Sequence, residues 1–306
     1  MTRSRPSSTF HSVVALLVAL VFSLAARSAS AQACCASAGL VAPTRLRSYE
    51  ALAVGLQGRG RSVFGSFGAD GNYTGNAAGD SESDLEQDLF AVARVSARGQ
   101  VSLLIPFQEN RRTIMGIADT GTGIGDIAIN ARYDFLVAGE RRIVPGLALL
   151  VGLVLPTGTA PQGANVATGQ GSTEGNVGVG IEQAYEPFFV TMTASVGLRT
   201  SRSVPGGHES FSPRLTGVIA GGRSLPHGVS LGVYLSAMRQ GTNSDDNGRI
   251  PGSDVSLLTA GLAGSFSLAD YWRLQGTAFG DLPIGLLGRN GTAGVGASLS
   301  IMRLWL

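Results

Sequence analysis

The chain has 306 residues, and its 23 cations are all arginine, set against 21 acids for a net charge of +2. Charge spread this evenly excludes a nucleic-acid partner, which needs clustered basic residues. Charged residues make up 14% and glycine 44 positions, whereas soluble domains carry about 25% charge; such a chain has little water-facing surface.

Residues 1–33 read as a secretion signal. Arg3 and Arg5 form a basic start, residues 13–26 are apolar except Ser23, and Ala29-Ser30-Ala31 or Ala31-Gln32-Ala33 supplies a small-residue cleavage site. Nothing beyond the N-terminus reaches the roughly 18 apolar residues of a membrane helix. Cys34 and Cys35 are adjacent, a spacing that strains a mutual disulfide. Lipidation at Cys34 would need a better box than Ala31-Gln32-Ala33, which lacks the usual Leu and carries a bulky Gln. Residues 34–45 are therefore read as a periplasmic leader, and residues 46–306 as the folded domain.

That domain reads as strands and turns. The predicted strands are 46–57, 86–97, 100–110, 125–137, 143–156, 176–185, 188–200, 211–223, 229–240, 254–267, 272–280 and 292–306. The fourth is the clearest. Asp126, Ala128, Asn130, Arg132 and Asp134 share one face, and Ile127, Ile129, Ala131, Tyr133, Phe135 and Val137 share the other, the period of two that marks a strand with one apolar and one polar side. Most of the strands have the ~10 residues that a tilted membrane strand needs.

The connections alternate in length. Those after even-numbered strands are tight, such as Arg98-Gly99 and Glu186-Pro187, while those after odd-numbered strands are long and rich in Gly, Ser, Asn and Asp, as in 58–85, 157–175 and 241–253. Short turns at one rim and long loops at the other describe an outer-membrane barrel. Tyr185, Phe188, Tyr271, Trp272 and Trp305 gather at the short-turn rim, the depth that amphipathic rings favour. The predicted fold class is all-β, a transmembrane antiparallel up-and-down β-barrel of about twelve strands, placed in the cell outer membrane.

Alternation then assigns a lumen-lining set: Asp88, Arg94, Asp126, Asn130, Arg132, Asp134, Glu182, Arg199, Arg214 and Arg273. Asn176 joins them, and Gly178, Gly180, Thr191, Thr193, Ser195, Gly232 and Ser236 are the small residues between. Buried charges must pair or stay wet, so this set predicts ion pairs across the lumen as well as the electrostatic profile of a pore. Twelve strands lie between the filled eight-stranded barrel and the open sixteen-stranded porin, and so predict a narrow path.

The run GIGDIAINARYDFL at residues 123–136, followed by PGLALLVGLVLPTGT at 145–159, resembles a group of bacterial outer-membrane β-barrel transporters described as phenol meta-pathway-degradation-like. The resemblance implies a barrel that admits small molecules and carries over no catalytic residue. The function expected is passive diffusion of small molecules, with no enzyme activity, no cofactor and no metal. Its expected partners are outer-membrane lipids and lipopolysaccharide, a small-molecule permeant and the barrel-assembly machinery, with no nucleic acid. Alternatives are a plugged structural or surface-interaction barrel and an outer-membrane acyl hydrolase.

Other motifs read as loop chemistry. Residues 121–125 lack the glycine spacing and the following helix of a phosphate loop. Asp119-Thr120-Gly121 has no second copy to complete a protease dyad. His208 and Ser210 are the hydrolase lead, without a third residue to orient the His. Asn243, Asp245, Asn247, Gly248 and Asp254 approximate a calcium loop but lack its bidentate Glu.

Overall fold

The computed structural model describes residues 44–139, 143–160, 166–204, 207–269, 271–285 and 287–306. The predicted secretion signal, Cys34 and Cys35 lie outside them. The barrel strands are β1 (Leu52–Phe67), β2 (Ser81–Ser96), β3 (Gly99–Ile114), β4 (Ile127–Leu136), β5 (Gly146–Leu155) and β6 (Glu174–Tyr185), then β7 (Phe188–Arg199), β8 (Arg214–Leu225), β9 (Val229–Gln240), β10 (Val255–Ala269), β11 (Trp272–Asp281) and β12 (Thr292–Trp305). Each pairs antiparallel with the next, and β12 returns to β1 from Leu52 opposite Trp305 to Ser66 opposite Thr292. The twelve strands close on themselves, so the wall has no first or last strand left unpaired.

The wall is explained by its two faces. On β9, Leu231, Val233 and Leu235 point outward and are 48%, 59% and 40% exposed, while Ser230, Gly232, Tyr234 and Ser236 point inward. A soluble protein does not leave such a band of aliphatic side chains bare, but a bilayer covers it. Tyr133 and Phe135, in edge contact at 5.2 Å, join Tyr185, Phe188, Tyr271, Trp272 and Trp305 as exposed aromatics at the short-turn rim. Arginine at Val233 is expected to cost about 2–4 kcal/mol of folding free energy if the residue sits at the bilayer midplane; urea titration in vesicles reads this directly.

Several boundaries differ from the sequence expectation. The predicted loop 58–85 is mostly strand, because β1 runs on to Phe67 and β2 starts at Ser81. Charge pairs continue the ladder where aliphatic residues stop: Arg59 meets Glu86 at 2.9 Å and Arg61 meets Asp84 at 3.4 Å. The outer half of β3 pairs with Ile117–Ile124, reached through a tight turn in which Met115 and Gly116 take φ of 52° and 77°. Below that hairpin β3 pairs with β4 only over Gly99–Leu104, and the Gly125 N–H donates to the Pro106 carbonyl between the two stretches at 2.8 Å. Residues 46–51 are not strand. They turn inside the short-turn mouth, with the Glu50 N–H donating to the Arg47 carbonyl at 2.9 Å.

Candidate functional site

Strand parity and burial place Asp88, Arg94, Asn130, Arg132, Asp134, Glu182, Arg199, Arg214 and Arg273 on the inward face, and Asp126 is half-buried just before β4, bonded to the β5–β6 connection. They do not form one cluster. Near the short-turn end, Arg132 on β4 meets Asp134 at 2.7 Å and Glu182 on β6 at 2.8 Å, spanning the intervening β5 above Gly180. Near the long-loop end, Arg199 on β7 and Arg214 on β8 share Glu174 at 3.5 and 3.4 Å. Asn130 sits between, its carboxamide lying against Gly152 where a Cβ would approach to 2.6 Å. Asp88 is 2% exposed, and its Oδ1 has no hydrogen-bond partner among the described residues.

The short-turn mouth is occupied by residues 44–51. Arg45 makes ion pairs with both Glu182 on β6 and Asp134 on β4. On the opposite wall, the Gln275 carboxamide of β11 donates to Thr44 Oγ1 at 3.4 Å, and Arg273 pairs with Glu50. Arg94 from β2 donates to the carbonyls of Glu50 at 2.9 Å and Arg47 at 2.5 Å, and the Leu46 N–H donates to Gln100 on β3 at 3.0 Å. The segment is thus bonded to facing sides of the barrel. Leu46 seals the crossing by packing with Ala53, Phe90, Val92, Met302 and Leu304; Phe90 comes this close because it lies over Gly55, where a Cβ would meet its ring at 2.6 Å.

At the other mouth, the described parts of the β5–β6 connection, residues 157–160 and 166–173, lean inward. The Asp126 carboxylate accepts from the Gly158 N–H at 3.0 Å and the Gln170 N–H at 2.7 Å. Asp119 accepts from the Val166 N–H at 3.1 Å, and Asn110 donates to the Ala167 carbonyl at 2.8 Å. From the adjoining strands β7 and β8, Arg199 and Arg214 donate to the Gln170 side chain at 3.0 and 3.4 Å. Thr168 and Ser172 are each 3% exposed as a result. The short-turn mouth is therefore crossed by backbone, and the long-loop mouth is overhung by backbone on its β3–β8 side, each held by ionic side chains.

The remaining motifs have structural work. Asp119 belongs to the β3 hairpin and holds the Val166 amide, and residues 121–124 continue a strand. His208 and Ser210 are both exposed on a short strand of a separate small sheet, while Glu209 between them turns toward Arg202 and Asn243. Asn243 bonds Ser212, Gln240 and Glu209, whereas Asp254 pairs with Arg289 at 3.1 Å, so the oxygens of the calcium-like loop do not converge. No group of three or more His, Cys, Asp and Glu able to hold a metal ion occurs among the described residues. Sequence reasoning passed over Arg45, Glu50 and Gln170, which tie the two crossings to the wall.

Comparison with known proteins gives a consistent picture. Residues 66–301 match the family described as "Putative MetA-pathway of phenol degradation". An outer membrane channel from Pseudomonas putida F1 superposes with a TM-score of 0.73 at 14% identity, over 84% of this chain and 96% of that one. The translocator domain of the autotransporter NalP from Neisseria meningitidis follows with a TM-score of 0.50 at 12% identity, over 83% and 88% of the two chains. No curated protein matches the sequence. At these identities the likeness is one of fold, the closed outer-membrane barrel.

Proposed function

Because the chain belongs to the family described as "Putative MetA-pathway of phenol degradation", we propose that it is an outer-membrane channel through which small molecules diffuse. The observation that carries the reading is the two-faced closed wall, aliphatic outside and charged or small inside. Passage is steric and electrostatic, without energy coupling or covalent chemistry. Asp88, Arg94, Asp126, Asn130, Arg132, Asp134, Glu182, Arg199, Arg214 and Arg273 set the field along the lumen. The family description makes phenol and its breakdown products the first permeants to try.

The N-terminal signal exports the chain, the barrel-assembly machinery inserts it, and lipopolysaccharide surrounds its outer half. Residues 44–51 and the β5–β6 connection are the two gates of the path. Single-channel recording in planar bilayers tests the reading. Discrete conductance steps, with long closures that reflect the two crossings, are expected. A folded, inserted protein that never conducts, even after either crossing is released, would overturn the reading in favour of a plugged structural barrel.

A further inference from the structure

The lipid-facing side of the wall carries a feature that the lumen does not require. On β7, β8 and β9, Ala194, Gly217 and Ala237 stand in register as an outward row with almost no side chain. One step toward the long-loop rim the row becomes Val196, Leu215 and Arg239. The missing side chains hollow the outside of the barrel into a groove of 610 Å³, mostly apolar, with Ser195 and Thr216 in its lining and Arg239 at its outer end.

Arg239 is the unusual member. It is exposed on the lipid side and forms no hydrogen bond or ion pair with another described residue. Other outward arginines have local company: Arg223 lies 5.6 Å from the Phe188 ring, Arg303 lies 5.2 Å from the Trp305 ring, and Arg111 pairs with Glu109. A lone guanidinium at the end of an apolar band is tolerated near the interface, where its stem lies along apolar surface and its head reaches anionic headgroups. A second copy of this face offers another guanidinium and no carboxylate, so it does not complement the site.

We infer that this groove binds one phosphate-bearing acylated glycolipid of the outer leaflet, with an acyl chain along Ala194, Gly217 and Ala237 and a phosphate on Arg239. The inference rests on the outer-membrane reading above and adds a specific lipid site to it. Gly217 is well placed for a test, because a Cβ there would meet nothing closer than the Thr193 carbonyl at 3.9 Å. A larger side chain therefore enters the groove without disturbing the wall.

The folded barrel in detergent is incubated with diphosphorylated lipid A or with its dephosphorylated form, and bound lipid is counted by native mass spectrometry. One diphosphorylated lipid A per barrel is expected to be retained. Arg239→Gln lowers retention by about tenfold, the loss of one charge-assisted contact, and Gly217→Leu lowers it for both lipid forms. Equal retention of the two lipids by the wild type, unchanged retention in both variants, or a dimer occupying the face each overturns the inference. Heat-dependent gel shift confirms folding of each variant. Conductance is read on the same preparations: conducting barrels that bind no lipid A defeat this inference alone, and lipid-binding barrels that never conduct defeat the channel reading alone.

Discussion

Replacing Glu50 with alanine is expected to release residues 44–51 from the short-turn mouth and increase the open time of single channels. Arg273 and Glu50 have side chains only 2% and 1% exposed. Two groups so far from water are tolerable as a pair and costly apart: removing one partner of a buried ion pair costs about 3–5 kcal/mol, because the other is left uncompensated. The barrel has an escape that a soluble core lacks. If the segment withdraws, water reaches Arg273 and the penalty falls away. The variant therefore moves the closed-to-open balance by on the order of a hundredfold or more, leaving the wall intact. Arg273→Met acts in the same direction but less, because Glu50 keeps the Arg47 N–H at 2.7 Å and the Arg47 guanidinium at 3.8 Å, and Glu50→Gln, which keeps an acceptor for Arg273, is also milder than Glu50→Ala. A Glu50→Ala barrel with a normal heat-dependent gel shift and wild-type open times would show that the segment does not control passage.

The second large effect is expected at the opposite mouth. Asp126 holds two backbone N–H groups of the β5–β6 connection, those of Gly158 and Gln170. Hydrogen bonds to an ionised group contribute about 1.5–3 kcal/mol each, so Asp126→Ala removes the largest single restraint on that connection. Higher conductance and shorter closures are expected, with Asp126→Asn intermediate because one carbonyl acceptor remains. The two mouths lie at opposite ends of the strands and share no partners. In the Glu50→Ala/Asp126→Ala double variant the free-energy changes should therefore add. Strong non-additivity would mean that the crossings are coupled, and recordings of the four species decide this.

The barrel was legible in the sequence because its two main signals are periodic. Alternation along residues 125–137 established a strand, and the short-and-long rhythm of connections converted strands into a closed wall. The register of the inward charges followed from the same parity. What escaped was aperiodic. Residues 46–51 were expected to begin the first strand, yet extending β1 backward from Leu52, Val54 and Leu56 puts Glu50 on the lipid face. That mismatch was the available sign that the strand starts later and that Glu50 belongs inside.

The predicted loop 58–85 failed for the opposite reason. Arg59 and Arg61 do not look like strand residues until Glu86 and Asp84 are placed beside them, and pairing partners so far apart in sequence cannot be read locally. Gln170 had no local sign at all. It matters only because a backbone N–H and a side-chain oxygen of one residue reach strands on either side of its own connection, Asp126 beside β4 and Arg199 with Arg214 on β7 and β8.

Solute flux into proteoliposomes tests the central claim most directly. Vesicles carrying the folded wild-type protein or the Glu50→Ala/Asp126→Ala variant are mixed with phenol-sized polar solutes and, separately, with an oligosaccharide too large for a twelve-stranded lumen. Swelling with the small solutes, faster for the variant than for the wild type and absent with the oligosaccharide, is the predicted result. No swelling above protein-free vesicles for either protein, with insertion verified, would contradict it.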